Sequence, residues 1–186
     1  MKQKLLLDVC CGPCSTHVIK ELIKDYNVTI FFPNSNVYPE QEHTKRLKAA
    51  VKVAEESNLK LIEDTYDHNF WLNFIKGLEN EPEGGKRCEK CFEFRLNRTA
   101  KHAKQNNYNC FTTTLTVSPH KDFEIINYIG KQMEKKHNIK FIKSDFKKND
   151  GFRKSIQLSK EYDIYRQNYC GCEFSMRKEK RLIQNN

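Results

Sequence analysis

The chain has 186 residues, enough for one domain with a real core, and a net charge of +9. Its apolar share is 38%, with 12 Phe and 8 Tyr supplying much of the area to be buried, and no apolar run approaches the ~20 residues that cross a bilayer. A membrane-spanning helix is thereby excluded, no secretory pattern precedes the first strand, a cytoplasmic location is expected, and the positive excess favours nucleic acid as a partner over a membrane surface.

Residues 3–9, with Leu5-Leu6-Leu7 at their centre, read as a buried strand that runs straight into Cys10, Cys11 and Cys14. Ser15 is expected to cap a helix reaching about Tyr26, with Val18, Ile19, Leu22 and Ile23 on one face. Val28–Phe32 is a second strand, and the turn-rich stretch from Pro33 to Pro39 follows. Helical spacing of Leu47, Ala50, Val51 and Ala54 places a helix over roughly 40–57, before a short strand at Leu59–Ile62. A short apolar helix at Phe70–Ile75 leads to a loop carrying Pro82, Gly84 and Gly85. Cys88 and Cys91 then open a helix running to about Gln105. A strand over Asn109–Thr114, a helix near Asp122–Lys136 and a strand at Ile139–Ile142 complete the alternation. Such alternation predicts an α/β fold with a parallel sheet and flanking helices. From residue 144 to 186 the β pattern fades, and a mostly helical portion is expected to cover the end of the sheet within a single domain spanning 1–186. Residues 140–186 hold 12 Lys/Arg against 6 Asp/Glu.

Seven of the eight cysteines fall into three tight groups, which in a reducing compartment points to metal ligation or redox catalysis. Cys10 and Cys11 at the carboxyl edge of the sheet, with Cys88 and Cys91 at a helix start, offer four soft ligands for a [4Fe–4S] cluster. Cys11-x-x-Cys14 with Cys88-x-x-Cys91 equally fits structural zinc, although a closed zinc site has no use for the additional cysteine. Thiol chemistry without metal is the third reading. Cys170-Gly171-Cys172 suits an easily reduced disulfide, or else two further ligands or inert thiols. Cys110, at the start of its strand, is expected to be a packing residue. Thr112–Thr114 either present hydroxyls to a ligand or simply form strand. Tyr162, Tyr165 and Tyr169 near Arg166 offer stacking faces for an extruded nucleobase, or core packing. Arg177–Arg181 is a basic segment for phosphates or a solvated helix face.

Taken in order, Cys10-Cys11-Gly12-Pro13-Cys14, Pro33–Pro39, Arg87–Cys91, Thr112–Pro119, Asp145–Lys148 and Tyr165–Cys172 resemble the QueH-type epoxyqueuosine reductases over nearly the whole chain. The resemblance implies a Rossmann-like, HUP-type fold and the cobalamin-independent reduction of epoxyqueuosine to queuosine at the wobble position of tRNA. It implies Cys10, Cys11, Cys88 and Cys91 as ligands of a [4Fe–4S] cluster and Cys170 and Cys172 as a redox-active pair. It also implies a second mononuclear ion, iron or zinc, for which Cys14 is the candidate ligand, together with an external electron donor. Asp8 departs from the histidine expected there in many relatives. The expected phosphate contacts are Lys147, Lys148, Arg153, Lys154 and the basic tail, on a monomeric enzyme. The reading from another class is a zinc-stabilised RNA-binding module without catalysis.

Overall fold

A computed structural model describes residues 1–176; the basic segment Arg177–Arg181 lies outside the described residues. Five strands form one sheet: β1 (Gln3–Asp8), β2 (Tyr26–Phe32), β3 (Leu61–Glu63), β4 (Cys110–Thr113) and β5 (Lys140–Phe141). All neighbours are parallel and the order is β3-β2-β1-β4-β5. The helices are α1 (Gly12–Leu22), α2 (Glu40–Glu56), α3 (His68–Phe74), α4 (Lys86–Gln105), α5 (Phe123–His137) and α6 (Gly151–Glu161), with 3-10 turns at Thr114–Val117 and Glu173–Ser175. This is the α/β architecture with a parallel sheet that the alternation of elements predicted, and the Rossmann-like, HUP-type fold that the resemblance implied.

The sheet is covered on both faces, so its central strands bury consecutive residues and the pleat decides which face each one meets. Leu5, Leu7 and Val9 of the first strand pack with Val28, Ile30 and Phe32 against α1 and α2. Leu6 points to the opposite face with Phe31, Phe111 and Phe141, beneath α4 and α5. Asp8 shares the pleat phase of Leu6 and is therefore delivered, fully buried, to the α4 side. Cys110 faces the α1 side with no exposed surface, a packing residue as expected, and burial pushes its thiol up to about 11.

The first helix departs from the sequence reading. It begins at Gly12, three residues before the expected cap, and ends at Leu22, because Tyr26 already belongs to β2. Pro13 in its first turn has the φ that a helix start needs and no N–H to satisfy there. The Ser15 hydroxyl does not cap; it donates to the Gly12 carbonyl at 2.7 Å. A Cβ on Gly12 would stand 2.7 Å from the Ala49 carbonyl oxygen, so the glycine is what lets α1 and α2 approach. Among the described residues beyond β5 the chain forms no further strand, as expected for that part. The one regular helix among the described residues there, α6, packs on α1, and the Thr16 hydroxyl reaches the Ser155 carbonyl at 3.3 Å.

Candidate metal centre and active site

Strand order reverses between β1 and β4, and the loops leaving their carboxyl ends diverge there, which is where open α/β sheets place ligands. Asp8 pairs with Thr113 at that edge. The loop after β1 carries Cys10 and Cys11, and the first turn of α1 adds Cys14. The three sulfurs lie within 4.8 Å of one another, with Cys10 Sγ 3.8 Å from Cys11 Sγ. In front of them opens a cavity of about 640 Å³ whose wall includes Cys10, Cys14, Cys91 and Cys170. Each of the three sequence groups thus sends at least one cysteine to the same space. Cys11 is buried behind Cys10, and Cys88 packs beside the α4 and α5 core, its sulfur accepting from the Gly84 N–H at 3.2 Å. Cys172 is buried against Trp71, Ile75 and Phe94. All eight cysteines carry free thiols.

Proton sharing makes the triad unequal. Hydrogen bonds from Cys11 and Cys14 hold Cys10 well below the usual thiol range, against its burial, with Lys121 and Arg95 assisting. The same sharing with Cys10 pushes Cys11 up to about 12 and Cys14 well above its ordinary value. Burial raises Cys91 and Cys88, the latter eased by the Gly84 N–H. Soft thiolates suit iron or zinc, and metal binding would replace the shared protons. The half-buried Lys121 faces the same cavity; burial works against its charge, yet Cys170, Cys10, Cys14 and Cys11, when ionised, raise its pKa overall. Soft donors, a cavity of this size and two cations to balance a thiolate-bound group together fit a metal cluster.

Behind the triad, Asp8 accepts from Arg95 Nη2 at 2.5 Å and from the Thr113 hydroxyl at 2.6 Å. Arg95 also donates to Asn34 and, at 3.1 Å, to Asn36, which orders the turn-rich loop after β2. Burial pushes the Asp8 carboxyl up, opposed by Arg95 and Thr113. The residue that departs from the expected histidine is thus one half of a buried ion pair. The threonines resolve toward structure: Thr112 donates to the Ile142 carbonyl at 2.8 Å and Thr114 to the Asp8 carbonyl at 3.1 Å, all inside the protein. None is left to serve a ligand with its hydroxyl hydrogen.

The segment carrying Cys170 and Cys172 is held by α2. Buried Arg46 pairs with Glu42 at 2.7 Å and donates to the carbonyls of Cys170 at 2.9 Å and Tyr169 at 3.1 Å. The Gly171 carbonyl accepts from the Tyr38 N–H at 2.8 Å. Gly171 has φ +130, and a Cβ there would stand 2.7 Å from Arg46 Nη1. We therefore expect Gly171→Ala to shift this segment while sparing the core. Turnover should fall by ~10²-fold, the cost of a small misplacement, with iron content and melting temperature nearly unchanged; equal loss of iron and turnover would show that the glycine serves the fold instead.

Arg95, Lys121, Arg46 and Glu42 were not singled out from the sequence. Arg95 had a signal, since Cys88, Cys91 and Arg95 are spaced to share one face of α4. The tyrosines separate: Tyr162 packs on the α1-side core, whereas Tyr165 and Tyr169 stay at the surface by the site. Of the basic residues proposed for phosphates, Lys148 and Lys154 are exposed, Arg153 pairs with Asp150 at 2.8 Å, and Lys147 lies 4.6 Å from the centre of the Phe123 ring. Among the described residues no helix is long and apolar enough to cross a membrane.

The family model described as epoxyqueuosine reductase QueH matches residues 5–178. A relative named epoxyqueuosine reductase QueH from Streptococcus pyogenes serotype M1 is 40% identical over 181 residues, covering 94% of this chain and 71% of that protein. The protein of the same name from Thermotoga maritima is 38% identical and covers 95% of this chain and 93% of its own. Among solved structures, the U34-tRNA thiolase NcsA from Methanococcus maripaludis, described with its [4Fe-4S] cluster, superposes with a TM-score of 0.59 at 16% identity, over 99% of this chain and 65% of the other. A predicted subunit of a tRNA methyltransferase from Methanocaldococcus jannaschii gives 0.53 at 17% identity, over 82% and 75%. At such identities the structural neighbours speak for the fold alone, whereas the sequence relatives speak for descent: the chain belongs to the QueH family of epoxyqueuosine reductases, and so to the oxidoreductases.

Proposed function

We propose that this chain reduces epoxyqueuosine to queuosine at the wobble position of tRNA, without cobalamin. The observation that carries the reading is the meeting of Cys10, Cys91 and Cys170, from three distant parts of the chain, on the wall of one cavity at the sheet edge. In this reading Cys10, Cys11, Cys88 and Cys91 hold a [4Fe–4S] cluster and Cys14 a second ion, iron or zinc. These groups would supply one-electron transfer and polarise the epoxide C–O bond. Conversion of the epoxide to the alkene takes two electrons and two protons and releases water. The dithiol of Cys170 and Cys172 matches that stoichiometry: closing their S–S bond yields two electrons and two protons. An external donor then restores the thiols. Arg46 keeps the pair at the cavity through the Cys170 carbonyl, and Lys121 offers an ammonium hydrogen bond beside the reacting oxygen.

Cys170→Ser is expected to keep the iron content and visible spectrum of the anaerobically purified protein and to lose turnover. Retained turnover would remove the pair from the reaction. A colourless wild-type protein with one zinc per chain would overturn the reading altogether and favour a zinc-stabilised RNA-binding module. Binding of tRNA should follow phosphate contacts by Lys148, Lys154 and their neighbours. Its logarithm should fall with that of salt by about 0.7–0.9 for each phosphate neutralised. An affinity insensitive to salt would refute this footprint.

A further inference from the structure

Beside the cysteine cavity lies a groove that the reaction above does not use. It holds about 560 Å³ and is lined by Tyr38, Lys45, Tyr165, Asn168 and Tyr169, among others. Asn168 and Tyr169 also line the cysteine cavity, so the two spaces share a wall. The three tyrosine rings are held in place. Tyr38 stacks on His68 with ring centres 5.1 Å apart and remains 37% exposed. The Tyr165 hydroxyl donates to Glu42 at 2.7 Å, and its residue remains 40% exposed. The Tyr169 hydroxyl donates to the Tyr38 carbonyl at 2.5 Å.

Rings fixed by their backs or their hydroxyls lose little freedom when something stacks on them, which is the preorganisation a weak contact needs. The charge balance selects the partner. Glu42 is nearly buried and paired with Arg46 and Tyr165, so it offers little repulsion. Lys45 Nζ stands 6.0 Å from the centre of the Tyr165 ring and brings a cation to the groove. Aromatic faces next to a cation are how proteins hold unstacked nucleotides, because every base has a π-face and every nucleotide a phosphate.

We propose that this groove is a second nucleobase subsite: the nucleotide next to the one entering the cysteine cavity stacks on Tyr38 and Tyr165, with Lys45 against its phosphate. The proposal rests on the tRNA reading above, through the wall that the two spaces share.

The test uses the anaerobically prepared holoenzyme and anticodon stem-loop RNAs with unmodified guanosine at the wobble position. Each RNA carries 2-aminopurine on the 5′ or the 3′ side of that guanosine. Stacking quenches 2-aminopurine, so one of the two RNAs is expected to lose fluorescence on binding. Tyr38→Ala should abolish the quench and weaken binding about tenfold, while Tyr38→Phe, which keeps the ring and its stacking on His68, should retain both. Tyr165→Ala serves the same purpose should Tyr38→Ala not fold. An abasic residue at the quenched position should lower wild-type affinity to that of Tyr38→Ala. Fluorescence unchanged at both positions, or a quench that survives both alanine variants, overturns the subsite and leaves the groove to a protein such as the electron donor. Turnover of epoxyqueuosine tRNA is followed on the same preparation. A quench without turnover counts against the reductase reading alone, and turnover without a quench counts against the subsite alone.

Discussion

Cys91→Ser, purified without oxygen, should lose most of its iron and sulfide together with its visible absorption. Its turnover should drop by more than the ~10–100-fold that follows loss of a group merely supporting a metal ligand. The reason lies in the position of Cys91. It stands outside the triad of Cys10, Cys11 and Cys14 yet lines the same cavity, so it can contribute a ligand from a different helix. Its thiol is raised by burial, which makes an unmetallated thiolate there costly and a metal-bound one the natural way to ionise it. Cys14→Ser provides the contrast. If Cys14 holds a separate ion, that variant keeps the cluster spectrum and loses turnover. If instead Cys14→Ser strips the cluster and Cys91→Ser spares it, the ligand set is built on the triad and the assignment of Cys91 fails. Iron, sulfide and absorption measurements on the two variants decide between these outcomes.

Arg95→Leu should be the most destabilising single change at the site, by ~3–5 kcal/mol in denaturant unfolding. It would strand the Asp8 carboxylate, which has no exposed surface, and withdraw donors from Asn34 and Asn36. The pair itself need not be a large net gain, since two charges were desolvated to form it. Replacing both partners, as in Asp8→Leu/Arg95→Leu, is therefore expected to recover much of the lost stability. A single variant as stable as the wild type would mean that water or another cation reaches Asp8. Should the double variant regain stability but bind less iron, the pair also acts electrostatically on Cys10, whose thiolate Arg95 favours.

The three cysteine groups were legible because ligands in tight clusters leave a spacing signature, and the parallel sheet because apolar strands alternated with amphipathic helices. The start of α1 was misplaced through Ser15, a residue that looks like a cap but donates backwards to Gly12; the proline two residues earlier governs the turn. The role of Asp8 could not be read, since its partner lies 87 positions away. Only the pleat of β1 and the face of α4 bring the two together. Arg46 was likewise invisible: a helical arginine between Lys45 and Leu47 looks like solvent-facing charge until the 165–172 segment folds over it.

What the amino-acid order alone determined is the set of local patterns: strand and helix periodicity, the sulfur-bearing turns, and the family resemblance they carry. The tertiary structure decided which of those pieces share a wall, which charges neutralise one another inside, and that an aromatic groove adjoins the cysteines. The division is physical. Periodicity and turn chemistry act over a few residues and are written along the chain, whereas ion pairs, cavities and shared protons depend on distances through space that only packing sets.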